Sequence, residues 1–132
     1  MVDEVFCRDI IMATYRQKLG AWGEQLAQEF LAKQGYRPVD SNWAKRRGEI
    51  DLICEKEKEL VFVEVKTRAS QAFGFGEQAV TWLKKQKIKK TMNQFLLENK
   101  KFDDYFPRFD IIVVELYSLK PNFVHFENVE LG

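Results

Sequence analysis

Asp51, Glu64 and Lys66 are the residues whose types and spacing could do chemistry together. They sit in two short runs, Glu49-Ile-Asp-Leu-Ile-Cys-Glu55 and Glu59-Leu-Val-Phe-Val-Glu-Val-Lys-Thr-Arg68, separated by a charged break. That is a β-hairpin pattern, with β-branched and aromatic residues enriched in the second arm. Residues two apart on a strand share a face, so Glu64 and Lys66 point the same way. If the hairpin turns symmetrically about Glu57-Lys58, Asp51 lies across from Glu64 and Glu49 across from Lys66. Two carboxylates opposed on one sheet face repel, by on the order of a few tenths to 1 kcal/mol. Covering that face with a helix adds a desolvation penalty. A divalent cation removes the conflict, and two carboxylates, a backbone carbonyl and waters are a donor set that Mg²⁺ accepts. Lys66 beside them could orient or help deprotonate a water, or neutralise a phosphate in its transition state.

The string Glu-x-Lys carries little by itself. It recurs at Glu98-Asn99-Lys100, at a helix end where residues two apart point away from each other. Context lifts the first occurrence: a strand, an Asp on the facing arm, and the continuous apolar run Leu60-Val-Phe-Val63. A solvated surface hairpin alternates polar with apolar residues, whereas this run reads as internal.

Other elements must position those groups. Leu19, Trp22, Leu26, Ala27, Phe30 and Leu31 recur at helical spacing, predicting a helix over 19–34 that Gly35 stops. Glu24 lies on the flank of that apolar arc. Tyr36 to Trp43 reads as extended, with Pro38 arguing for an edge strand or a bulge. Lys45-Arg46-Arg47-Gly48 is a basic turn before the hairpin. After a glycine-bearing loop over 70–76, a second helix is predicted over 77–99, with Val80, Leu83, Ile88, Met92, Phe95 and Leu96 as its apolar stripe. A strand over 108–117, buried on both faces, and an edge strand over 123–129 complete the chain. The order α-β-β-β-α-β-β predicts an α/β fold, a mixed sheet flanked by helices. Residues 1–17 show no clear period and are read as an extension, with residues 18–132 as a single domain.

The chain has 132 residues, 45% of them hydrophobic and 31% charged, with a net charge of +1, which argues against wholesale disorder and against a polycationic coat. Two cysteines, Cys7 and Cys54, form neither a disulfide framework nor a zinc motif, and point to a reducing compartment. No stretch approaches a membrane span, and the acidic start is not a secretory signal, so a cytoplasmic protein is expected. Charge is uneven along the chain. Residues 66–101 hold nine Lys or Arg against two Glu, a net of +7, whereas residues 102–132 hold two against six acids, a net of −4. Such an asymmetry suits a phosphate-binding side and a solvating side. Lys84 and Lys85 belong to a run that either meets nucleic acid or solvates a helix face. Arg46, Arg47 and Arg68 lie nearer the acids and are the better phosphate clamps. Phe73-Gly74-Phe75-Gly76 is not a P-loop, since no Gly-Lys-Ser/Thr follows. His125 and Cys54 read as structural.

Several stretches in order resemble the YraN family of bacterial proteins within the PD-(D/E)XK nuclease superfamily. They are Gly20-Ala-Trp-Gly-Glu-Gln-Leu-Ala27, Gly35-Tyr36 with Asn42, Gly48-Glu-Ile-Asp-Leu-Ile53, Phe62-Val-Glu-Val-Lys-Thr-Arg68, Phe73-Gly74 and Arg108-Phe-Asp110. The resemblance spans about residues 19 to 115 and extends to archaeal Holliday-junction resolvases. It implies a restriction endonuclease-like fold and a metal-dependent cut of a DNA phosphodiester, with branched DNA favoured. Carried over, it makes Asp51, Glu64 and the carbonyl of Val65 ligands of Mg²⁺ or Mn²⁺. Glu24 completes the metal shell and Lys66 stands at the attacking water. Ile50 stands where the superfamily name calls for Pro. Symmetric junctions would imply a homodimer. The alternative is a catalytically silent nucleic-acid-binding module with the same fold. A further rival is a structural partner protein that uses the apolar carboxy-terminal strand as an edge for pairing.

Overall fold

The computed structural model describes residues 4–46, 48–70 and 81–132, with side chains from residue 14 onward. Arg47, the Phe73–Gly76 loop, Glu77 and Val80 lie outside the described residues. A long helix α1 (Glu4–Lys33) leads into three antiparallel strands, β1 (Arg37–Lys45), β2 (Gly48–Lys56) and β3 (Glu59–Arg68). Helix α2 (Trp82–Glu98) and a 3₁₀ turn (Lys100–Phe102) cross over to β4 (Phe106–Glu115), which pairs parallel to β3. Strand β5 (Asn122–Phe126) pairs antiparallel to β4 at the far edge. The result is one open mixed sheet in the order β1-β2-β3-β4-β5, the α-β-β-β-α-β-β arrangement expected from the sequence.

The hairpin follows from its turn. Glu57 and Lys58 adopt φ of 50° and 65°, the left-handed pair a two-residue I′ turn requires. The register then runs from Lys56↔Glu59 to Leu52↔Val63, the symmetric pairing expected. Pro38 meets both of its expectations, because β1 is an edge strand and its register shifts between Pro38 and Asp40. Strand β4 is interior and buried from Phe109 to Glu115. It offers no free edge, and the carboxy-terminal edge of the sheet is β5.

Two apolar layers sandwich the sheet. On one side Ile88, Met92 and Phe95 of α2 pack on Ile53, Leu60, Phe62, Ile111 and Val113. Phe95 anchors α2, its ring 5.2 Å from Trp43 and 5.6 Å from Phe62. On the other side Ala27 and Leu31 of α1 pack on Leu52, Cys54, Val61, Val63, Ile112 and Val114. Burial pushes the Cys54 thiol up to about 12, so it packs as an inert apolar group.

Three helix expectations need correction. Helix α1 starts at Glu4, not near Leu19, since extending a helix is far cheaper than nucleating one. Its buried stripe is Gly23, Ala27 and Leu31, while Trp22 is 51% exposed. That rotation brings Glu24 toward the sheet. In α2, Leu83 is 68% exposed, because five residues before Ile88 is not a helical repeat.

Candidate active site

The hairpin ladder ends at Leu52↔Val63, and the next residues are Asp51 and Glu64. There the Asp51 carboxylate accepts the Val65 N–H at 2.9 Å. Strand alternation breaks at the same point. Ile50 and Ile53, three apart, both face the α2 layer, while Leu52 faces the α1 layer. The neighbouring strand registers the same break. Ser41↔Leu52 and Trp43↔Ile50 flank Asn42, whose φ of 50° is left-handed. Asn is among the few residues that adopt that conformation readily, and its side chain hydrogen-bonds Glu24. The kink at Asn42 therefore ties the helix acid to β1, the strand beside the one that carries Asp51.

Asp51 and Glu64 line one small cavity of about 30 Å³ with Ile50, Val63, Ile88 and Phe109. Burial, with the charges of Glu24, Glu64 and Glu49, pushes the Asp51 carboxyl up to about 6, although the Val65 N–H opposes the rise. Burial likewise raises Glu24, with Asn42 opposing and Glu49 adding to it. Glu64 differs. Burial would raise it, but Lys84 and Lys66, whose Nζ atoms lie 2.8 Å and 3.1 Å from its Oε1, outweigh burial and hold it below the usual glutamate range. Burial and the neighbouring Lys84 ammonium lower Lys66.

Lys84 reaches this position because Thr81 caps α2, its Oγ1 accepting the Lys84 N–H at 3.2 Å. Sequence reasoning named Lys84 as a nucleic-acid contact; the structure places its ammonium on the carboxylate of Glu64. The separation of the two residues along the chain left no local signal for that pairing. Lys85 is half-buried on the same turn, and Arg46 is exposed after β1. Arg68 ends β3 on the wall of a second, larger pocket of about 260 Å³, shared with Glu24, Val65 and Lys66. The five residues Glu24, Asp51, Glu64, Val65 and Lys66 thus gather at one end of the hairpin, across two adjoining hollows.

A different cluster sits on and just after β4 and β5, with Asp110 beside Val63 of β3. Asp110, His125 and Glu127 bring one ligand atom each within 4.8 Å of one another, a spacing that could hold a metal ion. The cation this cluster holds in the structure is Arg108. Its guanidinium forks onto Asp110, with Nε–Oδ1 and Nη2–Oδ2 both 2.9 Å, and also reaches Glu59, Tyr36 Oη at 2.7 Å and Glu127 at 3.6 Å. His125 Nε2 and the Asn128 N–H complete the shell of Asp110 at 2.7 Å and 2.9 Å. Asp110 is 0% exposed, and burial would raise it, but these partners hold it below the usual range. Every lone-pair direction of Asp110 is used, which makes the Arg108-Phe-Asp110 stretch a structural clasp.

The class defined so far is a mixed α/β protein with an acidic, lysine-bearing hollow at one end of its central hairpin. The chain belongs to the family described as "Uncharacterised protein family UPF0102", whose sequence pattern matches residues 23–114. It is 46% identical over 113 residues to a UPF0102 protein of Alkaliphilus oremlandii, covering 85% of this chain and 97% of the relative. A UPF0102 protein of Syntrophomonas wolfei is 41% identical over 114 residues, covering 85% and 96%. One from Caldanaerobacter subterraneus is 44% identical over 101 residues, covering 76% and 82%. These matches agree with the YraN resemblance read from the motifs.

Proposed function

We propose that this chain is a restriction endonuclease-like, metal-dependent nuclease that hydrolyses DNA phosphodiesters, with branched DNA as its preferred substrate. One observation carries the reading: Asp51 and Glu64 share a cavity of about 30 Å³, directly beside Lys66. That volume is on the order of a single water or ion. The donor set fits a hard cation. A carboxyl pushed up to about 6 by burial and, to a lesser degree, by like-charged neighbours is relieved by a positive ion, and carboxylate oxygens are the ligands Mg²⁺ and Mn²⁺ accept. Asp51 and Glu64 would hold it, with Glu24 and the Val65 carbonyl as further donors. When bound, such an ion polarises a phosphoryl oxygen and lowers the pKa of a water.

The chain's own residues do the rest. Lys66, with its lowered pKa, orients the attacking water and faces the charge that develops on the phosphate. Asp51 holds the Val65 backbone in place and so fixes the strand between Glu64 and Lys66. Arg46, Arg47, Arg68 and Lys85 supply phosphate contacts around this centre. A protein acting on DNA in this way would work in the cytoplasm, and a homodimer would present two sites to a symmetric junction.

A second reading, a silent nucleic-acid-binding module, is favoured by one feature. Lys84 and Lys66 already neutralise Glu64 without any ion. Cleavage of supercoiled plasmid and of a four-way DNA junction, in Mg²⁺ and in Mn²⁺, separates the two. The nuclease reading expects nicking that disappears in Glu64→Ala and Lys66→Ala while DNA affinity survives. Wild-type protein that binds junctions and never nicks them in either metal would establish the binding module instead.

A further inference from the structure

Two glycines stand three residues apart on α1, and they have different reasons to be there. A Cβ at Gly23 would collide with the Thr67 side chain, so close packing of helix on strand explains it. A Cβ at Gly20 would meet nothing within 4 Å. Glycine inside a helix weakens it relative to alanine, and no packing contact accounts for the loss here. Gly20 instead lines the pocket of about 260 Å³ whose walls carry Arg16, Lys66, Thr67 and Arg68, with Glu24 as its one acid. Among the described residues, neither Arg16 nor Arg68 has a carboxylate partner. Arg68 donates from Nη1 to the Thr67 carbonyl at 3.3 Å, yet its Nε–H is buried without any hydrogen-bond acceptor. A buried guanidinium donor without an acceptor is a rare and unfavourable arrangement in a finished structure. An acceptor-rich anion entering over Gly20 meets the cationic wall of Arg16, Lys66 and Arg68, and the bare helix backbone there lets it approach closely.

We infer that the pocket between α1 and the end of β3 is a phosphate subsite, in which Arg16 and Arg68 hold a backbone phosphodiester of a DNA strand against Gly20. This deepens the proposed function and rests on it for the identity of the polymer. The subsite adjoins Lys66, so the phosphate it holds is a neighbour of the one facing the acids. It positions the strand and does not itself react.

The test is equilibrium binding of a fluorescein-labelled duplex and a four-way junction in EDTA, over a series of KCl concentrations. Gly20→Leu fills the pocket with a good helix former, and Gln25→Leu makes the same change on the exposed side of α1. Gly20→Leu is expected to weaken DNA binding about tenfold, and Gln25→Leu to leave it as in the wild type. Arg16→Gln and Arg68→Gln should each lower the slope of log K against log salt by about one, the effect of one lost phosphate contact. Inorganic phosphate, followed by amide NMR at Gly20 and Thr67, separates the two sources of such an anion. Displacement of its signal by DNA supports the inference. A phosphate response that DNA leaves untouched assigns the pocket to a free phosphate and overturns it. Wild-type affinity and salt slope in Gly20→Leu and Arg68→Gln overturn it as well. Because no cleavage is read, lost binding in Gly20→Leu upholds the subsite even if no metal ever supports a cut. A protein that cuts DNA while Gly20→Leu binds normally keeps the nuclease and loses the subsite.

Discussion

The carboxylate of Asp51 accepts the backbone N–H of Val65 at 2.9 Å, just beyond the Leu52↔Val63 rung that ends the β2–β3 ladder. A side-chain acceptor thus takes over at the point where strand pairing stops. The acid is held in a half-buried position that its own charge disfavours, between Glu64 on the facing strand and Glu24 on the helix.

That position sets a pH dependence of stability. A carboxyl whose folded pKa exceeds its unfolded value binds its proton more tightly in the native state, so ionising it works against folding. For Asp51 the favourable contribution is present below 3.8 and is lost as pH climbs to about 6. The full rise corresponds to about 3 kcal/mol, reduced by solvent screening to about 1–3 kcal/mol. Glu64, held low by Lys84 and Lys66, acts oppositely, and its contribution fades as pH falls below 4.5. Asp51→Asn should therefore raise stability at pH 7 and flatten the curve between pH 4 and 6. Urea unfolding at pH 4, 5, 6 and 7 checks both. The same variant should lose metal-dependent cleavage.

Lys84 and a bound cation compete for the same carboxylate. Removing the ammonium, which lies 2.8 Å from Glu64 Oε1, should free that oxygen. Lys84→Met is expected to bind Mn²⁺ about three- to tenfold more tightly than the wild type, a gain of about 1 kcal/mol. Calorimetric titration with Mn²⁺ measures it. Unchanged or weaker binding would remove Glu64 from the set of ligands.

The Arg108–Asp110 clasp predicts a cost confined to stability. Asp110→Ala leaves a half-buried guanidinium without its main partner, a change that costs about 2–4 kcal/mol with Glu59, Tyr36 and Glu127 still in reach. Pairing Asp110→Leu with Arg108→Met should recover much of that loss, since an apolar pair has no desolvation penalty to offset. Denaturant midpoints for the single and double variants give the answer, and DNA affinity should follow the folded fraction alone.

Gly23 and Thr67 predict a coupled pair. Gly23→Ala drives a methyl into the Thr67 side chain and should destabilise the fold by about 1–3 kcal/mol. In the Thr67→Ala background the penalty should shrink, giving a double-mutant coupling of about 1 kcal/mol.

Much of the fold was legible because its strongest signals are local. The I′ turn at Glu57-Lys58 and the apolar run Leu60–Val63 set β3 at Glu59–Arg68 and its register with β2, all within twenty residues of chain. Gly35, at φ 90°, follows α1 where the helix was expected to stop. What escaped is non-local or rotational. A helix rotation of about 100°, one residue, decides whether Trp22 or Gly23 meets the sheet, and apolarity misleads here because glycine carries no hydrophobic signal. That Asp51 and Glu64 lie near each other was legible from their spacing about the turn. Lys84 on Glu64 was not, since the crossover that joins them leaves no trace in spacing. Arg108 read as part of a motif, and only its four-way clasp of Asp110, Glu59, Tyr36 and Glu127 reveals a structural use. Asn42 was part of the same motif, and its left-handed φ shows why it stands there.

Parallel neighbours cannot be joined by a tight turn, so the chain between β3 and β4 must swing across the sheet before its centre can close. Such distant pairing is slow to form compared with a hairpin. The β2–β3 arms can meet early, but at that stage nothing from α2 has arrived beside Glu64. Nascent hairpins must then tolerate the crowding of Asp51 and Glu64 with Lys66 as their own ammonium until the swing delivers Lys84. Docking of α2 thus does more than cover the sheet: it brings a second counterion to the barbed end of the hairpin.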